Sequence, residues 1–350
     1  MSLKELAKIG KSMLRQLSGA VEKYTIVEPL NHEHVCPYAH TDNPKMRELL
    51  CNTYCSVANS AEEPKVQVAK YRLSKYQILQ LLYYHFLPVD SKGIISCISE
   101  KDVAEKLGCT IRTVRNNNVV LSNLELIHYS RYDDQHFNVM IVPYSTYHES
   151  KENGGSGYLP LYINHFDLLL KLENVNSLRF ELRMLLKFDS DALRRKYGKA
   201  EVSEISKKDT EMFMPKYMQT SPMIKQTVEK RSEAFQISME GNTVFFMMDE
   251  RFNGKLIKEQ NEKLYSSEIQ SYLANSQITL TMKADFESLV QLSFEYSLSE
   301  VIEALKEWNM EINYNELNKY ISNPGGYVRT KIRQARQNKH KRAISAKMTA

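Results

Sequence analysis

Hydrophobic and polar positions follow two different periods along residues 70–149. Apolar residues spaced three and four apart predict helices, and short runs of Ile, Val and Tyr predict strands. The helices are predicted over 73–87, 99–107 and 110–124, and the strands over 93–97, 127–131 and 136–142. Turn-forming residues separate the last two strands, which therefore form a hairpin. The predicted order is helix, strand, helix, turn, helix, hairpin.

The turn between the second and third of these helices carries the most specific motif of the chain. Ala104, Gly108 and Val114 resemble the helix-turn-helix signature, in which a small residue, a turn glycine and a β-branched residue recur at fixed spacing. A small residue lets two helices approach closely, and glycine can adopt the left-handed conformation that ends a helix. Asn117 departs from the pattern, where an apolar residue is usual, and Glu125 replaces the glycine expected before the hairpin. Together with the hairpin, the resemblance implies a winged helix.

The third helix offers a candidate DNA-binding face. With Val114 and Leu121 directed inward, its polar residues face outward, and no acidic residue occurs between Thr110 and Leu124. Arginine can bind guanine, and asparagine can bind adenine, when such a helix enters the major groove. The predicted contacts are Thr110, Arg112, Thr113, Arg115, Asn116 and Asn117 on the helix, with Arg131 and Asn138 of the hairpin near phosphate. The alternative is a winged helix that docks a protein and contacts no DNA.

A similar order of elements follows in residues 158–253. After a strand-like segment at 158–166, helices are predicted over 177–188, 202–212 and 221–234, and hairpin strands over 235–239 and 244–248. We therefore predict a second winged helix, joined to the first (residues 70–149) through the Gly/Ser-rich Asn153–Gly157. Lys225, Lys230 and Arg231 lie on its predicted recognition helix. These cations either contact DNA or form a solvated helical face.

Residues 1–65 combine an amphipathic pattern with a proline-rich stretch. Apolar positions predict one helix over residues 1–23, which serves packing or dimerisation. In the stretch that follows, Cys36, His40, Cys51 and Cys55 are candidate ligands of a tetrahedral Zn²⁺ site. Their spacing matches no zinc-finger pattern, so buried thiols with surface histidines are the alternative. Zinc is the only cofactor that the sequence suggests.

The C-terminal part divides by charge. Residues 255–316 hold 11 acidic residues against 5 lysines, and residues 327–350 hold 8 Lys and Arg with no acid. We predict an acidic helical region over 255–322 and a basic helix and tail over 323–350. The tail opens with Asn323, Pro324, Tyr327, Val328 and Arg329, a short pattern that resembles the last helix of plasmid and phage replication proteins, including DnaD-type primosomal proteins. Its predicted phosphate-binding face is Arg329, Lys331, Arg333 and Arg336.

Composition narrows the class of protein. With 42% hydrophobic and 25% charged residues, the chain is typical of globular proteins. No run approaches the roughly 18 apolar residues of a membrane helix, and the first residues lack the apolar stretch of a signal peptide. Five cysteines are too few for a disulfide scaffold. No Walker-type, GxGxxG or GxSxG motif occurs, so no enzyme activity is expected.

The predicted fold class is therefore mainly α, of α+β type: a winged helix, a second winged helix and a helical C-terminal region. This layout resembles the tandem winged-helix replication initiators of plasmids. The resemblance implies binding to repeated duplex sites at an origin, recruitment of host replication proteins through the acidic helices, and a homodimer in the cytoplasm, on the nucleoid or plasmid and away from membranes. A transcriptional regulator, a plasmid-partition adaptor and a protein-docking module are the alternatives.

Overall fold

The chain is a mixed α+β protein, predominantly helical, whose strands form small antiparallel sheets. The computed structural model describes residues 3–27, 43–46, 49, 65–90, 92–147, 149, 151–198, 202–314 and 320–348. It divides into a large unit, residues 1–19 with 74–350, and a small unit, residues 20–73. None of the helices formed by these described residues is long and apolar enough to cross a bilayer.

The small unit contains a two-stranded antiparallel ribbon. Strand β2 (Val21–Val27) pairs with strand β3 (Lys65–Tyr71) along its whole length, from Val21 opposite Tyr71 to Val27 opposite Lys65. Glu22 and Lys70 are directly opposed, and their charged groups lie 3.0 Å apart. Both side chains are largely exposed, so this pair adds little to the stability of the ribbon.

The predicted single helix over residues 1–23 is wrong. Strand β1 (Leu6–Gly10) comes first, helix α1 (Lys11–Ser18) follows, and β2 begins at Val21. Leu6, Ala7 and Ile9 are all buried. Apolar spacing alone does not distinguish a helix from a strand buried on both faces, and here pairing with a distant strand outweighs the local helical pattern.

The first half of the large unit has the predicted order of elements. Its helices are α2 (Lys75–Phe86), α3 (Glu100–Leu107) and α4 (Ile111–Asn123), and its strands are β4 (Ile94–Ser99), β5 (Ile127–Arg131) and β6 (His136–Ile141). The strands form one sheet in the order β4-β6-β5. Ser74, Ser99 and Thr110 cap the three helices by accepting a backbone N–H, as short polar residues do. These caps explain why local sequence predicted the helix starts so closely.

The second half repeats this arrangement. It contains β7 (Tyr158–Tyr162), α5 (Ile163–Lys171), α6 (Val175–Ser190), α7 (Ala192–Lys196), β8 (Ser203–Ile205), α8 (Lys207–Phe213), α9 (Ser221–Glu229), β9 (Phe235–Glu240) and β10 (Thr243–Met248). Its sheet has the order β8-β10-β9, the same topology as in the first half. The predicted helix over 202–212 is wrong at its start, because Ser203–Ile205 pairs with β10 and Ser206 caps a shorter helix.

An exchange of elements joins the two halves. β1 pairs antiparallel with β7, from Leu6 opposite Tyr162 to Gly10 opposite Tyr158. Helix α1, which follows β1, packs on α6 of the second half, and helix α5, which follows β7, packs on α2 of the first half. Lys106 of α3 forms an ion pair of 2.6 Å with Asp167 of α5. The segment β1–α1 therefore completes the second half, and the segment β7–α5 completes the first.

The C-terminal helices form a core of their own. Helices α10 (Gly254–Ala274), α11 (Lys283–Glu295), α12 (Leu298–Asn313) and α13 (Pro324–Met348) pack around the fully buried Trp308. As predicted, α13 begins at Pro324, and the Oδ1 atom of Asn323 accepts the N–H of Gly326 at 2.8 Å. Tyr327 packs back on Trp308, with ring centres 5.3 Å apart. The predicted boundary between the acidic and basic segments is therefore a helix start.

Candidate nucleic-acid interface

Helix α4 is held against the core of the first half by the residues that the motif predicted. Val114 and Leu121 are fully buried, and Ala104 of α3 is 5% exposed. Gly108 ends α3 with φ 64° and ψ 41°, the left-handed conformation, and the N–H of Cys109 returns to the carbonyl of Ala104 at 2.9 Å. A tight turn followed by the Thr110 cap thus fixes where α4 begins.

The start of α4 presents a polar face to solvent. Arg112 and Asn116 are exposed and stand four residues apart, so they are neighbours on one side of the helix. Within the described residues, neither side chain makes a hydrogen bond or an ion pair. Thr113 is half-buried, and its hydroxyl lies 2.9 Å from that of Thr110. Arg112 and Asn116 are therefore the predicted residues that remain available to a ligand.

Arg115 forms an ion pair within the protein, although its side chain stays 49% exposed. Its Nε and Nη2 atoms donate to both carboxylate oxygens of Glu100, at 2.9 and 2.6 Å, and Nη2 also reaches the carbonyl of Asp134 at 3.3 Å. Arg131 of the hairpin lies 3.7 Å from the same carboxylate. Glu100 is only 5% exposed. The two arginines thus neutralise one buried charge while their side chains stay about half exposed, so both already have a partner within the protein.

Asn117 is buried, contrary to the prediction. Its amide donates to Oε1 of Gln80 at 2.9 Å, and the amide of Gln80 donates to Oδ1 of Asn118 at 2.8 Å. The Tyr84 hydroxyl also donates to Asn118. Burial raises the pKa of Tyr84 far above its ordinary value, because a charged phenolate would lose its hydration. A polar network therefore fills the position where helix-turn-helix proteins usually place an apolar residue.

The hairpin tip is less suited to phosphate than predicted. Asn138 uses its Oδ1 atom to accept the N–H of Cys97 at 2.8 Å, where β4 bulges between Ile95 and Ile98. Asp133 and Asp134 lie exposed at the tip, and the N–H of Gln135 holds the pKa of Asp133 below its usual range. These carboxylates would repel phosphate, and of the predicted hairpin contacts only Arg131, which lies near Glu100, carries a positive charge.

In the second half, α9 is placed as α4 is in the first. Ile224, Thr227 and Val228 are buried at the positions that correspond to Val114, Asn117 and Asn118. Of the predicted cations, Lys230 is exposed, and Lys225 is exposed with a weak contact of 4.0 Å to Glu229. Arg231 instead donates to the carbonyl of Phe235 at 3.2 Å and supports the turn before β9.

The basic face predicted on α13 is mostly neutralised. Arg329 pairs with Glu295 at 2.9 Å and Arg336 with Glu300 at 2.7 Å. Lys331 lies 3.2 Å from Glu307 and also contacts Glu311. Burial alone would lower the pKa of Lys331, but its hydrogen bonds to these two carboxylates raise it well above the ordinary value. Only Arg333 stays exposed, with a hydrogen bond of 3.3 Å to the Tyr296 hydroxyl.

These pairs also change the view of the acidic helices. Four of the acidic side chains face α13 and pair with its cations: Glu295, Glu300, Glu307 and Glu311.

The sequence pattern does not mark Glu100 or Gln80, although both organise α4. The only local sign of Glu100 is its place in the first turn after the Ser99 cap, where acids are favoured in any helix.

The predicted zinc ligands, Cys36, His40, Cys51 and Cys55, lie outside the described residues. Among the described residues, no group of three or more His, Cys, Asp or Glu side chains could hold a metal ion. Among the described residues, Cys97 and Cys109 form no disulfide; both are half-buried, and burial raises the pKa of each thiol. Zinc binding stays a prediction from the sequence.

No protein-family model, curated protein or solved structure matches the chain. The resemblances to helix-turn-helix proteins and to replication initiators therefore rest on the residues and the order of elements described above. The geometry of α4, α9 and the joint between the halves carries the functional argument.

Proposed function

We propose that this protein is a sequence-specific DNA-binding protein made of two winged-helix domains, residues 74–147 and 158–248, and that it initiates replication at a plasmid or phage origin. Helix α4 lies in the major groove, and α9 plays the same part in the second half. The protein binds as a homodimer, recruits host replication proteins and performs no covalent step itself.

The exposed pair Arg112 and Asn116 carries this proposal. A guanidinium and a carboxamide side by side on one helix face can bind guanine and adenine edges. Both residues follow the Thr110 cap, and the first turns of a recognition helix are the part that usually contacts bases. The buried hydrogen bonds around Gln80 and Asn118 and the ion pair between Glu100 and Arg115 hold α4 against the core. Arg112 and Asn116 therefore project from a fixed helix.

Two features fit an initiator that binds repeated sites. The second half repeats the sheet order and the burial pattern of the first, which supplies a second helix for a neighbouring DNA segment. β1 pairs with β7, and helices α1 and α5 each pack on the opposite half, so both halves contact the DNA as one unit. A protein with two DNA-binding helices, α4 and α9, suits an origin that contains repeated sites. A transcriptional regulator or a partition adaptor would use the same geometry and differs only in what it recruits.

A protein-docking role is favoured by one observation. Ile111 and Val119, both on α4, are 40% and 45% exposed. Exposed apolar side chains on a helix can seat a partner protein. They can equally contact thymine methyl groups in the major groove. The experiment below separates the two uses, because a module that only docks a protein would enrich no duplex sequence.

The first test selects bound sequences from a random duplex library with the full chain, followed by mobility shifts of the enriched duplex and a scrambled duplex. Arg112→Ala with Asn116→Ala should weaken binding to the enriched duplex by about tenfold or more, since one good side-chain–base contact contributes ~1–3 kcal/mol. Lys263→Ala with Gln270→Ala, two exposed changes on α10, is the matched control and should bind normally. A library without enrichment, or a double variant that binds like wild type, would exclude DNA reading through α4.

The second test separates an initiator from a regulator. The enriched repeats and the gene are placed on a plasmid that lacks any other origin. Establishment of that plasmid, lost with Arg112→Ala and Asn116→Ala, supports initiation. A change in expression of an adjacent reporter without plasmid establishment indicates a regulator. Faithful segregation of an otherwise replicating plasmid, without any origin activity, indicates a partition adaptor.

A further inference from the structure

A cavity of about 500 Å³ lies where the first half, the β1–β7 pair and the C-terminal helices meet. Lys4 and Lys8 enter from the N-terminal strand region, Tyr144 from the first half, Tyr158 from β7 and Lys258 from α10. This volume falls within the range of small-molecule sites, roughly 300–1,000 Å³, and it is far too small for a nucleic-acid duplex.

The charge of the cavity wall is unbalanced. Two carboxylates, Asp90 and Glu295, line the cavity with the three lysines. Both are already engaged: Asp90 accepts the N–H groups of Lys92 and Ile94 at 2.9 and 2.8 Å, and Glu295 pairs with Arg329 at 2.9 Å. Within the described residues, none of the three lysines forms an ion pair. Since Arg329 pairs with Glu295, the positive charge of the three lysines exceeds the negative charge that Asp90 leaves on the wall.

Two of these lysines are held around one aromatic ring. The ammonium of Lys8 lies 5.4 Å and that of Lys258 6.0 Å from the centre of the Tyr158 ring, and Lys258 also reaches the Tyr158 hydroxyl at 3.5 Å. Cation–π contacts of this kind hold charge in place without cancelling it. Tyr158 thus holds the ammonium groups of Lys8 and Lys258 close to each other at the cavity.

Lys4 is the most unusual of the three. It is 6% exposed, and no hydrogen bond or ion pair of its ammonium occurs among the described residues. Burial lowers its pKa to about 7, and repulsion from Lys8 adds to the effect. Keeping an ammonium buried without a counter-ion is costly, and a bound anion would offset that cost.

We propose that this cavity binds a small polyphosphate anion, either free or as part of a nucleotide, between Lys4, Lys8 and Lys258. Lysine binds phosphate as a point charge, whereas arginine is preferred for flat, two-pronged recognition of carboxylates, and no arginine lines the described wall. Three ammonium groups match an anion with several charges. Because the wall comes from both the first half and α10 and α11, the anion links the DNA-binding half to the C-terminal helices. This site does not depend on the proposed contact of α4 with DNA.

The test measures binding of ATP and of inorganic triphosphate to the full chain by calorimetry, with sulfate at equal ionic strength as the reference anion. Lys8→Gln and Lys258→Gln should each weaken binding of both probes by about tenfold, the loss expected for ~1.4 kcal/mol of charge interaction. Lys263→Gln, an exposed lysine on the same helix as Lys258, is the matched control and should bind normally. Arg112→Ala should also bind normally, which separates this site from the DNA-binding face.

Equal affinity for the two probes identifies a free polyphosphate, and tighter binding of ATP identifies a nucleotide. Absence of saturable binding up to millimolar concentration overturns the proposal, as does binding that neither lysine variant weakens. Proton uptake gives a second readout that needs no loss of affinity. At pH 8 an anion should draw a proton onto Lys4, and Lys4→Met should abolish this uptake. The charged groups that act on Lys4 are Lys8, Glu295 of α11 and Arg336 of α13, and Lys4 acts in turn on His85 of α2.

Discussion

The guanidinium of Arg115 donates hydrogen bonds to both carboxylate oxygens of Glu100, from Nε at 2.9 Å and from Nη2 at 2.6 Å. The contact joins the middle of α4 to the first turn of α3, and Arg131 approaches the same carboxylate from β5. One buried acid therefore restrains two cations that the sequence assigns to DNA. Arg115 and Arg131, which the sequence predicts as DNA contacts, thus help to hold α4 in place. Arg112 and Asn116 lie exposed on this helix.

Glu100→Gln tests this restraint. Loss of the carboxylate releases the Arg115 and Arg131 side chains toward solvent, where they can neutralise phosphate. We expect lower stability in urea, together with a steeper salt dependence of duplex binding, by about 0.9 in the logarithmic slope for each cation that gains a phosphate. Glu105→Gln, an exposed change on the same helix, is the control. An unchanged slope for Glu100→Gln would show that the two arginines do not reach DNA when released.

Glu125→Gly should stabilise the first half. Glu125 adopts φ 57°, the left-handed region, in the turn between α4 and β5. Side chains with a Cβ atom are strained there and glycine is not, so we expect a gain of about 1 kcal/mol in the free energy of unfolding. The same exchange inside a helix, Glu105→Gly, should cost about 1 kcal/mol. Opposite signs of the two changes in denaturant melts verify the cause, and equal signs would contradict it.

Gly325→Ala should loosen the C-terminal helices. A Cβ atom at Gly325 would clash with Oγ of Ser288 on α11 and lie 3.1 Å from the Cβ of Ser288, so the hydroxyl would have to rotate and the two helices would have to separate slightly. Overpacking of this kind typically costs about 1–3 kcal/mol. Ser288→Gly removes both atoms and should recover part of the loss. A double-mutant cycle measures the coupling, and simple additivity of the two changes would argue against the close approach.

His85 should make the protein less stable in mild acid. The side chain is fully buried, its Nδ1 atom lies 2.8 Å from the Leu81 carbonyl, and burial lowers its pKa to about 4. The unfolded chain takes up the proton near pH 6.5, so stability is full above that pH and falls as the pH drops toward 4. The loss attributable to His85 approaches about 3 kcal/mol.

Unfolding free energies measured at pH 7 and pH 4.5 test this expected loss of stability through His85. His85→Leu should flatten the pH dependence, because the titrating group is gone. Tyr147→Phe removes the hydroxyl that lies 3.0 Å from Nε2 of His85 but keeps the imidazole. It should lower stability at both pH values and retain the slope. A slope unchanged by His85→Leu would assign the acid sensitivity to other groups.

Local signals predicted much of the fold. Short polar caps at Ser74, Ser99 and Thr110, the left-handed Gly108 and Pro324 each mark a helix boundary within a few residues. The repeated order of elements was also readable, because helices and hairpins are defined over ten to twenty residues. These features depend on neighbours in the chain, which a sequence displays directly.

What escaped prediction depends on partners far apart in the chain. Leu6 belongs to a strand because Tyr162 lies opposite it. Asn117 is buried because Gln80 accepts its amide hydrogen. Arg329 faces inward because Glu295 stands on a helix that packs against α13. Charge runs and apolar spacing cannot reveal these pairings, and the resulting errors concern mostly the predicted DNA-contacting side chains.

The exchange between β1–α1 and β7–α5 has a further consequence for a severed chain. The glycine-rich segment 153–157 is the covalent link between the halves, yet the β1–β7 ladder and the packing of α1 on α6 do not run through it. A protease nick within this segment would leave two fragments that stay together as a non-covalent pair. By the same logic, a fragment starting at residue 158 alone would expose the surfaces that β1 and α1 cover, and would tend to aggregate.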